Sequence, residues 1–229
     1  MKTALATDVI RVEPAVPAAI EPARTMPAVQ DVADNIARIL IIGLFTLMSV
    51  RFAQNYLETG RFTGLLLLAS EALVVLLTLF RRAPVTVDRS LKARVLTTLA
   101  MMGPPLVRPT ALTPMIPDAV TVAISAVGLL VVIGGKASLG RSFGLIPANR
   151  GIVSTGFYKL VRHPIYLGYI ITHVAFVASN PTPWNISLLL MTDVALLARA
   201  VCEEQTLARD ADYRAYQSRV RWRVLPGMF

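Results

Sequence analysis

Cysteine, histidine and charge are all scarce in this chain of 229 residues. The single cysteine, Cys202, excludes an intramolecular disulfide and leaves the redox compartment open. The 2 histidines, His163 and His173, have no cysteine or further histidine beside them, so no metal site is expected. Charged residues make up 16% of the chain, against about 25% in soluble domains. A Gly-x-Gly-x-x-Gly fingerprint is missing too, because Gly134-Gly135, Gly140 and Gly144 do not have the spacing. The opening segment lacks a continuous apolar core ahead of a small-residue cleavage site, which argues against a signal peptide. Its Pro and Ala among scattered charges predict a flexible tail over residues 1–30.

What the chain does have is apolar sequence. At 55% hydrophobic residues and mean hydropathy +0.59, it reads as an all-α, polytopic membrane helical bundle, with one domain over residues 31–229. Six candidate spans run over roughly 36–56, 62–80, 94–109, 118–136, 164–180 and 184–202. Several are short for a hydrocarbon core of ~30 Å. The third carries Gly103-Pro104-Pro105 and closes on Arg108-Pro109, so a broken or re-entrant helix competes with a complete one there.

Six spans make the loops alternate sides, and the basic residues can then be sorted. One side collects Lys2, Arg11, Arg24 and Arg38, then Arg81 to Arg94, then Lys136 to Arg162, and last the arginines from Arg199 to Arg223. The other keeps Arg51, Arg61 and Arg108 out of the 23 Lys and Arg. That bias predicts cytoplasmic termini and an even number of spans. The basic net charge of +9 is then explained by loops and anionic lipid headgroups, and no nucleic-acid partner is expected. Residues 136–163 and 203–229 come to the same side.

The connection Ser179-Asn180-Pro181-Thr182-Pro183-Trp184 is short and turn-forming, so the last two spans should form an antiparallel hairpin. That would bring Arg162, His163, Pro164 and Tyr166 level with Glu203-Glu204. Consecutive glutamates point about 100° apart on a helix, so one can face a cleft while the other faces a further ligand group or an arginine. Carboxylates there suit an amine, ribose hydroxyls or a cationic sulfonium, and tyrosine faces add cation–π attraction. Pro164 at the first turn leaves neighbouring amides free to meet a carboxylate. Each piece alone also has a plainer reading, as interfacial anchor or solvated cap. Deeper in the bundle, Glu71 is expected to pair with a Ser, Thr or Arg of a neighbouring helix. Asp193 lies about 15 Å along its helix from the glutamate pair, too far for a cofactor's reacting end and open to an acceptor channel.

The order Leu139-Gly140-Arg141-Ser142-Phe143-Gly144, Gly151 to Gly168 with Arg162-His163-Pro164-Ile165-Tyr166, Glu203-Glu204, Tyr213-Arg214-Ala215-Tyr216 and Arg223-Val224-Leu225-Pro226 resembles the isoprenylcysteine carboxyl methyltransferase family and its phospholipid methyltransferase relatives. The resemblance covers the C-terminal two-fifths. It implies an integral-membrane enzyme that uses S-adenosyl-L-methionine at the cytoplasmic face and takes a lipophilic small-molecule or lipid-modified acceptor from the bilayer. Carried over position by position, Tyr158, Arg162, His163, Pro164, Tyr166, Leu167, Glu203 and Glu204 would hold the cofactor. Arg223, chosen over Arg221 by its spacing to Pro226, would meet the acceptor's reacting group, with Glu203 also catalytic. A small acceptor methylated on oxygen is favoured, because the sequence offers no protein-docking surface. Membrane sterol and steroid reductases share an Arg-His-Pro-x-Tyr segment but typically carry Asn where this chain has Ile165. A non-catalytic scaffold or transporter would leave the clustered polar motifs unexplained.

Overall fold

The computed structural model describes residues 27–79, 86–87, 90–139, 148–149 and 152–229. The chain divides into two units, Met1–Ile39 and Leu40–Phe229. In the first, the described part is the opening of α1 (Pro27–Thr59). Pro27–Gln30, expected in the tail, therefore begin a helix, with a proline where its missing N–H costs nothing. The rest of the expected tail, and Gly140 to Gly144 of the quoted motif, lie outside the described residues.

In the second unit α1 is followed by α2 (Thr63–Leu79), α3 (Leu91–Leu106), α4 (Asp118–Leu139), α5 (Pro164–Ser179), α6 (Pro183–Leu207) and α7 (Ala211–Arg219). A minimal antiparallel pair, β1 (Thr86–Val87) with β2 (Ala148–Asn149), joins two loops. Each of the six apolar runs falls mainly on one helix, but the run expected over 94–109 outlasts α3, which ends at Leu106. Among the described residues, two helices, Asp118–Leu139 and Pro183–Leu207, are long and apolar enough to cross a membrane; Thr63–Ala72 and Pro164–Ser179 are shorter apolar helices. The apolar windows of the two long ones are only 28% and 50% buried. Their outward faces carry Leu130, Ile133, Leu190 and Val194. A contiguous apolar surface of that kind suits lipid better than water.

Helix α4 packs on α5, α3 on α6, and α2 on α4. The α4–α5 crossing is close because glycines meet there: a Cβ on Gly168 would lie 2.7 Å from the Gly128 carbonyl oxygen, and one on Gly128 would lie 2.9 Å from that of Gly168. Small residues at a crossing let apolar helices approach where lipid offers no hydrophobic drive. Gly103 has the same role in α3, where Thr192 of α6 fills the space of a side chain. The Gly103-Pro104-Pro105 segment does not break α3; it forms its last turn, and the helix stops one residue beyond Pro105. A clamp ties the opposite ends: the Arg61 guanidinium donates to the carbonyls of Thr110, Leu112 and Ser179.

Candidate active site

Three residues, Asn180 to Thr182, connect α5 to α6, and Thr182 caps α6 by accepting from the Asn185 amide. Contacts between the two helices join His163 to Glu204 and His173 to Asp193. His163 caps α5 and Pro164 occupies its first turn, so the α5 start lies level with the last turn of α6. A third strand of chain completes the arrangement: the amides of Arg162 and His163 donate to the carbonyls of Trp222 and Arg223 at 2.9 and 2.7 Å. Residues 162–163 therefore hold the C-terminal segment by main-chain bonds that need no particular side chain.

Glu204 is the centre of this junction and is 3% exposed. Its Oε2 accepts from Arg162 Nη1 at 3.1 Å, Arg223 Nε at 2.8 Å and Gln217 Nε2 at 3.3 Å, while Oε1 pairs with His163 Nε2 at 3.2 Å. One carboxylate so ties the start of α5, α7 and the C-terminal segment to α6. Glu203 is turned elsewhere, as the 100° step between neighbours requires. Its Oε1 accepts from Arg199 Nε and Nη2 at 3.1 and 2.8 Å, and its Oε2 lies 3.6 Å from His163 Nδ1. The His163 ring stands between the two glutamates and stacks on Tyr166, with centroids 5.2 Å apart. Arg199 in turn lies over the Tyr166 ring, 5.6 Å from its centroid.

A cavity of about 130 Å³ opens between α3, α5 and α6. At the glutamate end its wall includes Tyr158, His163, Tyr166, Arg199 and Glu203; inward it passes Ala100, Met101 and Leu196 and reaches Tyr169, His173 and Glu71. Of the residues singled out from sequence, Tyr158, His163, Tyr166 and Glu203 line this cavity. Pro164 and Leu167 flank it on α5, and Arg162, Glu204 and Arg223 form the bonded layer behind. Arg223 also packs over the Phe229 ring, whereas Arg221 is exposed and contributes its main-chain oxygen to Arg162.

Tyr158 is fixed in a 3-10 turn over Gly156–Lys159. The turn opens on Gly156 at φ +59°, and Ser138 occupies the space a Cβ would need. The Tyr158 carbonyl accepts from the Tyr216 hydroxyl at 2.7 Å. Burial holds the hydroxyls of Tyr158, Tyr213 and Tyr216 above their ordinary ionisation range, and the nearby glutamates push the same way, so all three stay neutral donors.

Sequence reasoning had treated Arg199 as a loop charge. It is 6% exposed, faces the cavity and holds Glu203, and the i,i+4 spacing of Arg199 and Glu203 on one helix was the available signal. It also missed the partnership of His173 and Asp193, whose Nδ1 and Oδ1 are 2.6 Å apart. Lys136 and His173 are electrostatic neighbours of Glu71. Lys136, 1% exposed, donates to the Ser70 carbonyl at 3.3 Å.

The family model of the isoprenylcysteine carboxyl methyltransferase (ICMT) family matches residues 120–209, a stretch that runs from α4 through the α5–α6 pair to the glutamates. No curated protein matches the chain significantly. The family match and the two long apolar helices together support a membrane methyltransferase in general terms.

Proposed function

We propose that the chain is an integral membrane enzyme that takes the methyl group of S-adenosylmethionine and places it on an oxygen of a lipophilic acceptor. The observation that carries the reading is a single cavity with two kinds of wall: paired charge and aromatic faces at the glutamate end, apolar side chains between α3 and α6 further in. The donors present fit a zwitterionic sulfonium cofactor. Arg162 Nε is buried with no hydrogen-bond partner among the described residues, so a donor is left for a carboxylate. Glu203 offers an acceptor surface to an amine or ribose hydroxyls, and Tyr158 adds an aromatic side chain to the same wall.

When bound, the cofactor supplies an electrophilic methyl; the acceptor oxygen forms a new C–O bond as the S–C bond breaks. Little proton traffic is needed, so the side chains contribute chiefly position and dryness. Arg199 holds Glu203 aimed through two hydrogen bonds. Glu204 holds His163, Arg162 and Arg223 in place, with Pro164 and Leu167 fixing the helix start behind them. Arg223, 33% exposed at its side chain, orients or neutralises an anionic acceptor oxygen arriving from the bilayer. The site and both termini are assigned to the cytoplasmic side by the distribution of Lys and Arg, with membrane lipids as the surrounding partner.

Calorimetric titration of the detergent-purified protein with S-adenosylhomocysteine, with NADPH as control ligand, tests this. Saturable binding of the nucleoside, lost in Glu203→Gln, is the expected result. Binding of NADPH alone points to a reductase, and binding of neither points to a scaffold; either result overturns the proposal.

A further inference from the structure

The inner end of the cavity carries polar groups that the methyl-transfer reading does not use. His173 is 2% exposed, and its ring stacks on Tyr169 with centroids 6.2 Å apart. Asp193 of α6 is 2.6 Å from its Nδ1. In the tautomer that donates from Nδ1 to the Asp193 carboxylate, Nε2 presents its lone pair. That Nε2 is buried and has no hydrogen-bond partner among the described residues. A buried polar atom without a partner costs free energy unless a ligand meets it, and this one belongs to a residue that lines the cavity. His173 and Glu203 line the same cavity, with His173 ten residues along α5 from His163, about 15 Å.

We infer that the inner end of the cavity receives a hydrogen-bond donor, an O–H or N–H, carried by the buried end of the methyl acceptor. This rests on the cavity being the acceptor's place. The carboxylate of Asp193 fixes the imidazole tautomer, and Nε2 accepts from the ligand. The acceptor class is thereby narrowed: an apolar molecule with a second polar group, a hydroxyl, phenol or amide N–H, remote from the oxygen that is methylated. A plain hydrocarbon tail, an ether or an ester at that end would leave the imidazole unsatisfied. The group at His173 is too far from the glutamate end to be the one methylated, so His173 selects and orients the acceptor and takes no part in the transfer itself.

With 2 histidines in the chain, nitrogen NMR of isotope-labelled imidazoles reads both ends of the cavity in one spectrum. S-adenosylhomocysteine should move the His163 signals, which tests the cofactor reading. In its presence para-hexylphenol should move the pyridine-type Nε2 signal of His173, while para-hexylanisole should not, and the phenol should bind at least about fivefold more tightly. In His173→Phe that preference should vanish while S-adenosylhomocysteine affinity stays within about twofold. The inference is overturned by an Nε2–H tautomer or an imidazolium at His173 in the free protein, by equal responses to phenol and anisole, or by a phenol response confined to His163. Failure of the cofactor reading and failure of the donor site thus appear at different nuclei.

Discussion

Glu203 and Glu204 are neighbours with the same chemistry, and the structure assigns them opposite consequences. Replacing Glu204 by Gln removes the charge that faces Arg162 and His163 in a place where the Arg162 and Glu204 side chains are 7% and 4% exposed. Removing one partner of a buried pair costs about 3–5 kcal/mol. Gln keeps one carbonyl acceptor, which favours the low end, and the more exposed Arg223 adds at most about 1 kcal/mol. About 3 kcal/mol on the tie to the C-terminal segment should raise the population of its opened form roughly 100-fold. Trypsin cleavage after Arg219, Arg221 and Arg223 reads that opening directly, since cleavage tracks the open population when reclosing is fast. Glu203→Gln should leave the cleavage rate near that of the parent, because its bonds to Arg199 lie within one helix, and should instead abolish S-adenosylhomocysteine binding. A Glu204→Gln protein cleaved no faster than the parent would refute this division, as would equal acceleration by both substitutions.

Arg223→Ala should lower methyl transfer from S-adenosylmethionine into organic-extractable product about 100-fold while S-adenosylhomocysteine affinity holds; Arg221→Ala should change neither, and the reverse order would reassign the acceptor contact. Gly168→Val should cost about 1–3 kcal/mol by forcing α5 off α4, seen as a lowered thermal midpoint in detergent; an unchanged midpoint would mean the crossing is looser than the 2.7 Å approach requires. The buried phenols of Tyr158, Tyr213 and Tyr216 ionise later in the folded chain than in the unfolded one. Their contribution is complete below the unfolded value of about 10 and is lost as pH rises past it. Thermal midpoints measured against pH should fall above that point, and the fall should be shallower in a Tyr213→Phe, Tyr216→Phe protein.

The helices were legible because long apolar runs leave the backbone no other way to satisfy its polar groups in lipid. Gly103-Pro104-Pro105 misled, since the prolines fall in the last turn of α3, where the helix is ending anyway, and the glycine admits Thr192. At the site, the motif residues are local in sequence: His163 and Tyr166 share one helix start, and Glu203-Glu204 share one helix end. What escaped were the Arg199–Glu203 pair within α6 and pairings between helices. Yet the hairpin register contained one of them: with His163 facing Glu204, ten residues along α5 and eleven back along α6 put His173 beside Asp193. The single missing step was to carry the register inward.

That register bears on why the polar residues are where they are. Glu71, Lys136, His173, Asp193 and Arg199 come from four helices that are otherwise mostly apolar, and three of the five line one cavity. The other two belong to the same group, Lys136 as an electrostatic neighbour of Glu71 and Asp193 as the partner of His173. An ionisable side chain within hydrocarbon costs several kcal/mol, so five scattered at random would weaken the bundle without compensation. Around one space, Lys136 lies near Glu71, His173 meets Asp193 and Arg199 meets Glu203, and polar atoms are left there that a ligand can meet. At the opposite end Arg61 spends its donors on main-chain carbonyls and Arg108 lies over Trp184, beside a second cavity lined by Arg51, Asn55, Glu58 and Arg108.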